Sequence, residues 1–408
     1  MRSAGHRVRI ASGRNYLEGA EVADRRRTLG IQTSATVFGL ALGAVLALAG
    51  PGAAFGAGTS YFARHGASGN CLTEATPCSL PTAVGDAGSS DRVVLEPDGG
   101  TFQITHRLDV GNGVDFGGEA GKPSPTIHAT TGSGTTVIGV STNSTLHDFR
   151  LEITSASNGI EGSAGTGTTI ERVYVAGAAT SACSIGDAGV LRDSVCASSL
   201  ASGRGATILN VSAPTMTATI RNATLIGGSN SVGLETGADA GVLTIDAANV
   251  VARGGSSDVS TQLGTAGTTT VDLANSNYAV APHTPGGSIT PPGTNGNQTA
   301  APLFANPVPA DGYGDFHELS GSPTIDAGLT TLGIGSLDLD RKPRIAPTCL
   351  GGPPGTPDIG AYEYTAPPAC PLAPVPPAPS PKKCKKHHKH KHKHKHAKCG
   401  KKKRKKKR

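Results

Sequence analysis

Apolar residues recur in a fixed frame through the middle of the chain. Segments beginning at Leu146, Ile170, Val190, Ile220 and Ile245 each carry an apolar residue at their first and sixth positions, and Val271 opens a weaker sixth segment. The starts lie 24, 20, 30, 25 and 26 residues apart. One short strand motif per 20–30 residues indicates a solenoid. Strict alternation cannot bury both the first and the sixth position, so the frame predicts a bend near the third, which resets the inward face. That position holds Asp148, Arg172, Arg192, Asn222 and Ala247, mostly polar as a bend requires. The next residue then points inward (Phe149, Val173, Ala223 and Ala248, with Asp193 the exception), and the fifth points outward (Arg150, Tyr174, Ser194, Thr224, Asn249). The pattern is that of an all-β parallel β-helix, with Val, Leu and Ile filling its bore.

Composition agrees with strands and turns. The chain has 57 Gly and no Trp, and Ser, Thr, Ala, Val and Gly dominate residues 100–290. The front reads differently. Arg25, Arg26 and Arg27 precede an uncharged run with an apolar centre at residues 37–49, and Ala54-Phe55-Gly56 has the small-x-small form of a cleavage site. Residues 1–56 are therefore expected to be a signal peptide, with an uncleaved anchor as the alternative and the paired arginines as a hint of twin-arginine export. All eight Cys lie beyond it, in close pairs: Cys71 with Cys78, Cys183 with Cys196, Cys349 with Cys370, and Cys384 with Cys399. An even count in an exported chain reads as disulfides, and the first three pairs lack zinc spacing.

Other segments resemble a known family. Ser60-Tyr-Phe-Ala63, Leu80-Pro-Thr-Ala-Val84 and Arg92-Val-Val-Leu-Glu-Pro97 are similar to the opening of right-handed parallel β-helix proteins of the pectin lyase-like superfamily. There a short helix caps the first coil. Toward the other end come Pro302-Leu-Phe304, Asp315-Phe-His-Glu-Leu319 and Ser322-Pro-Thr-Ile-Asp-Ala-Gly328. Asp338-Leu-Asp-Arg-Lys-Pro-Arg344 and Asp358-Ile-Gly-Ala-Tyr-Glu-Tyr364 follow. These resemble the choice-of-anchor Q domain, which ends many bacterial surface β-helix proteins ahead of interchangeable anchors. The resemblance implies a secreted, cell-surface or cell-wall protein. The expected order is a cap and first coil over 57–100, a β-helix over 101–290, the anchor-Q-like segment over 291–364, a Pro/Ala-rich spacer over 365–381 and a basic tail over 382–408.

Charge is segregated along this order. Residues 57–381 carry 13 Lys/Arg against 27 Asp/Glu, whereas residues 382–408 carry 17 Lys/Arg, six His and no acid. Such a tail is expected to be disordered and to bind anions through Lys382, Lys383, Lys385, Lys386, Lys401, Lys402, Lys403, Arg404, Lys405, Lys406, Lys407 and Arg408. The expected partner is an anionic cell-wall polymer or membrane surface; the rival is a solvated tail that contributes only solubility or folds back on its own acidic body, with self-association between molecules as a variant. Nothing indicates a specific nucleic acid. His388, His390, His392, His394 and His396 alternate with lysine and offer a second reading as Zn, Ni or Cu ligands. More acidic medium is expected to tighten polyanion binding by charging these rings.

Polysaccharide lyases and hydrolases share the family's fold, so catalysis needs a geometric test. The outward column after each segment start reads His147, Glu171, Leu191, Arg221 and Asp246. Its two carboxylates fall three coils apart, about 14 Å, too far for a hydrolase pair. No catalytic residue is assigned, and the expected role is structural, adhesive or carbohydrate-recognising; the alternative is a polysaccharide lyase or hydrolase of that superfamily, with Asp187, Asp193 and Glu161 on faces that the frame does not fix. Asp326, Asp338, Asp340 and Asp358 could converge on Ca²⁺, but Asp in such motifs more commonly holds turns. No cofactor is required by this reading.

Overall fold

A computed structural model describes residues 58–365 apart from 99, 163–164, 264–265, 308–312, 331–332, 334 and 346–354. Among the described residues twenty parallel strands join in one ladder, the all-β solenoid that the apolar frame predicts. Each coil contributes to three sheets. Sheet A stacks Ser60–Ala63, Arg92–Leu95, Asp115–Gly118 and later strands such as Thr215–Arg221, Val242–Ala248 and Thr268–Ala274. Sheet B includes Thr101–Ile104, Thr126–Ala129, Val195–Ala197, Thr224–Ile226 and Val251–Arg253. Sheet C includes Leu108–Val110, Thr136–Val140, Arg204–Asn210, Val232–Ala238 and Ser257–Leu263. Two long strands, Thr145–Gly162 and Thr169–Ile185, pass through all three sheets.

The register corrects the frame drawn from sequence at three coils. Leu146 stacks on Ile170, Ile170 on Leu191, Leu191 on Ile220, Ile220 on Ala247 and Ala247 on Leu273. The third segment therefore starts at Leu191, because Val190 is half-exposed beside Thr169 while Leu191 is buried. The fifth and sixth start at Ala247 and Leu273. Ile245 and Val271 sit two residues earlier on the same inward face, which is why they fitted the apolar pattern equally well.

Correct stacking aligns the bend as Asp148, Arg172, Asp193, Asn222, Asn249 and Asn275, all with φ between 43° and 59°. Asn and Asp tolerate this left-handed conformation better than other non-glycine residues. Their side chains then bond from coil to coil. Asn222 donates to Asp193 at 3.0 Å, Asn249 to Asn222 at 2.8 Å, and Arg172 donates to both oxygens of Asp148 at 2.8 and 2.9 Å. Asp193, the exception in the sequence frame, is thus a bend residue.

Both ends of the bore are closed. At the N-terminal end, helix Leu80–Asp86 starts at Ser79, whose hydroxyl accepts from the Thr82 N–H at 3.3 Å, and buries Leu80, Ala83 and Val84. A disulfide joins Cys71 to Cys78 beside it. A second joins Cys183 to Cys196 inside the bore, where both residues are buried among apolar neighbours. The third expected disulfide does not appear among these bonds, because Cys349 and Cys370 both lie outside the described residues. At the far end Tyr278 is buried and its hydroxyl donates to the Thr290 carbonyl at 2.5 Å.

The described residues of 301–364 form a strap that runs back along the bend. An antiparallel pair, Phe304–Asn306 with Asp315–Glu318, sets Phe316 against Tyr174. Phe316, Leu339, Ala361 and Tyr362 then share a core with Tyr174, Ala176, Val195 and Ala197 of sheet B. Tyr174, read as outward from the frame, is outward from the bore but covered by this strap. Among the described residues no helix is long and apolar enough to cross a membrane.

Candidate functional site

Two polar regions stand out, one along the bend and one on sheet C. The bend region is an ion network. Asp115 faces Arg92 at 3.3 Å and His147 Nε2 at 2.9 Å; His147 Nδ1 meets Asp148 at 2.9 Å. Arg172 and Arg341 also donate to Asp148, and Glu171 takes Arg172 at 2.7 Å and Arg192. Burial opposes a charge on His147, yet the two carboxylates outweigh it and raise its pKa to about 9. The ring is therefore a cation that donates from both nitrogens. Burial pushes the Asp148 carboxyl up, but His147, Arg172 and Arg341 hold it well below the usual carboxylate range. Each carboxylate of this network is matched by cations, so it serves as a structural clasp.

The strap adds a deeper ion pair. Arg344 and Asp193 are 1 % and 0 % exposed and meet at 2.7 Å. Arg344 also donates to the carbonyls of Gly360 at 3.0 Å and Ala361 at 2.9 Å, and to Glu363 at 2.9 Å. The four aspartates considered for calcium are engaged otherwise. Asp338 accepts the N–H groups of Lys342 and Glu363, Asp358 those of Asp326 and Tyr364, and Asp340 takes His317 and Lys342. Asp326 has φ 54° at a turn. Among the described residues no group of three or more His, Cys, Asp or Glu converges to hold a metal.

Sheet C carries a trough. One outward column runs Asp109, Gly139, Glu161, Ser184, Thr207, Glu235 on successive coils. A parallel column holds Asn158, Ser181 and Arg204. Depressions of about 300 Å³ and 470 Å³ meet at Glu161, the first reaching Arg107 and Asp109, the second Arg204, Leu209 and Val211. Gly139 makes room for the Arg107 guanidinium, which packs over it and donates to Asp109 at 2.6 Å; a side chain at 139 would collide with that group. Thr136 donates to Glu161, Ser181 to Thr207 at 3.0 Å, and Arg204 pairs with Glu235.

These placements revise the carboxylate reckoning. Asp246 is not in the column of Glu171; it stacks between Thr219 and Asp272 on the open outer face of sheet A and pairs with Arg221. The closest approach to a hydrolase pair in the trough is Asp109 and Glu161, two coils or about 9.6 Å apart, near the outer limit of the inverting geometry. Neither Tyr174, under the strap, nor Tyr278, in the bore, offers a platform for a sugar ring. Sequence reasoning missed this trough because its columns lie outside the six-residue frame. No local pattern marks it: Ser181, Ser184, Arg204 and Thr207 come together only through the stacking of coils. The tail lysines, arginines and histidines and the signal peptide lie outside the described residues, as do Cys349 and Cys370.

No family model matches the chain. No curated protein matches it. Among solved structures, a crystal structure of pectate lyase Pel9A is similar over 76% of this chain and 98% of its own, with 14% identity and a TM-score of 0.38. A superposition that loose carries no argument about the chemistry of this chain.

Proposed function

We propose that the chain is an exported surface scaffold whose sheet C trough recognises a linear carbohydrate, tethered by its polycationic tail to anionic envelope polymer. The trough is the observation that carries the first half. Its lining repeats at the coil spacing over four steps, about 19 Å from Asp109 to Thr207, and presents hydroxyl, amide and arginine–carboxylate groups. A hydroxyl-rich chain with a short repeat matches such a surface; a compact ligand does not. The tether rests on the charge of residues 382–408 and on terminal motifs that resemble the choice-of-anchor Q domain. Two disulfides fit an oxidising compartment outside the cytoplasm.

Affinity electrophoresis of the mature chain through gels containing neutral and acidic polysaccharides tests recognition. At least one polysaccharide should retard the protein, and Ser184→Trp or Thr207→Trp should abolish the retardation. Equal mobility of wild type and both variants in every gel refutes the trough. The tether is tested separately: molar salt should strip the protein from intact cells, and deletion of 382–408 should release it into the medium.

A second reading has its own observation. Asp109 and Glu161 flank the 300 Å³ depression on either side of Gly139 and the Arg107 guanidinium over it, at the outer edge of the inverting separation. Release of reducing ends that is lost in both Asp109→Asn and Glu161→Gln would favour it over simple recognition. A metal-binding tail remains the reading for His388 to His396, and a zinc titration monitored by imidazole NMR shifts would decide it.

A further inference from the structure

We infer that residues 358–364 are a force-transmitting joint, which delivers a pull from the C-terminal stretch into the middle of the solenoid and not into its last coil. The inference deepens the tether reading, on which its biological use rests, but its geometry is independent of any ligand. The covalent path from Tyr364 leads back through the strap to residue 301 and so to the final coil. Each coil of a solenoid contacts only its neighbours, so tension entering at the last coil would peel coils off singly, breaking few bonds at a time.

The structure blocks that route. Ile359 donates its N–H to the Thr324 carbonyl at 3.0 Å, Gly360 to the Asn249 carbonyl at 2.9 Å, Ala361 to the Thr224 hydroxyl at 3.0 Å and Glu363 to Asp338 at 2.9 Å. Ile359 and Ala361 are fully buried. The carbonyls of Gly360 and Ala361 are held by Arg344, itself locked on Asp193. Asn249 further clasps Leu329 through both its amide donor and its carbonyl oxygen, at 2.9 and 2.6 Å. Asp193, Thr224 and Asn249 belong to three consecutive coils. A pull on Tyr364 therefore loads contacts on three coils together, in parallel, where peeling would load them in sequence.

Optical-tweezers pulling of the mature full-length chain tests this without any envelope polymer. One handle is fixed at the exposed position 154 in the middle coils, so that neither terminal coil lies under the fixed handle; the other is attached either in the spacer beyond residue 365 or at the exposed position 301. Pulled through the spacer, the wild type should hold to one high-force rupture that frees the 64 residues 301–364, about 20 nm of chain. Pulled at position 301, the same protein should lengthen in steps of one coil at no more than half that force. Arg344→Gln should lower the spacer rupture toward the stepping force and leave the stepping itself unchanged. Equal forces and steps from the two handle positions overturn the joint, as do coil-sized steps preceding strap release. Both outcomes are read on unmodified sequence, so a poorly folding variant does not decide the matter. A protein that survives salt washing of cells would sink the tether and leave these force curves untouched.

Discussion

Arg344 is the position where one substitution should separate strap from solenoid. Its guanidinium is 1 % exposed and makes four hydrogen bonds, to Asp193, Glu363 and the carbonyls of Gly360 and Ala361. Arg344→Ala leaves a fully buried Asp193 carboxylate without its cation. Breaking a buried pair from one side costs about 3–5 kcal/mol, because the remaining charge stays desolvated and unpaired. That moves the equilibrium for strap opening by roughly two to three and a half orders of magnitude. The loss should be local, since these four partners lie in the bend and the strap. Urea unfolding followed by far-UV circular dichroism, together with limited proteolysis, gives the readout. The wild type should unfold in one transition with residues 301–345 protected. Arg344→Ala should show cleavage within the strap at urea concentrations where the solenoid signal is still native. The double variant Arg344→Met with Asp193→Asn should recover part of the loss, since the neutral amide removes the unpaired buried charge and keeps a residue suited to the positive φ of the bend. A shift below about 1 kcal/mol with unchanged cleavage would refute the assignment of Arg344 as the key contact.

Three further outcomes are expected. His147 has a pKa raised from 6.5 to about 9, so its contribution of about 3 kcal/mol is complete below pH 6.5 and lost as pH rises through 9. Asp148, held below its ordinary value, works in the opposite sense and loses its contribution in acid. Melting temperature against pH should therefore fall on both sides of a plateau; His147→Gln should flatten the alkaline limb and also make the acid limb shallower, since His147 helps to hold Asp148 low. Cys183→Ser should cost about 3 kcal/mol in urea unfolding, the value for closing a loop of this length, and added reductant should then change the variant less than the wild type. Gly139→Val should displace the Arg107 guanidinium and close the trough floor; weaker retardation in polysaccharide gels with a melting temperature within a few degrees of wild type is the expected pair of results.

The repeat was legible because bore filling needs large apolar residues at fixed intervals, and Leu146, Ile170 and Ile220 supply them at the stacked positions. Its register was less so. Ile245 and Ala247 share a face, and a frame that scores hydrophobicity alone prefers the larger residue. The stronger signal was the bend itself: Asp148, Asp193, Asn222, Asn249 and Asn275 form a column of residues suited to positive φ, and aligning on them gives the observed stacking. The strap contacts were illegible for a different reason. Arg344 and Asp193 lie 151 residues apart, and no local pattern encodes that pairing. The trough was equally hidden, because Gly139 matters through what it lacks.

The strap also explains how so weakly apolar a chain can hold together as one unit. Coils that interact only with neighbours fray from the ends, and Ala247, Ala252 and Ala223 contribute little bore area at the later coils. Those are the coils spanned by strap contacts at Asn249, Thr224 and Asn275. The strap then reaches past them to Asp193 and Asp148, where larger residues such as Phe149, Phe116 and Leu146 fill the bore. A thinly packed end is thus fastened to a well-packed middle by bonds that bypass the intervening coils. Opening of the last coils must also release the strap contacts at Asn275 and Asn249, while those at Asp193 and Asp148 keep the strap on the well-packed middle.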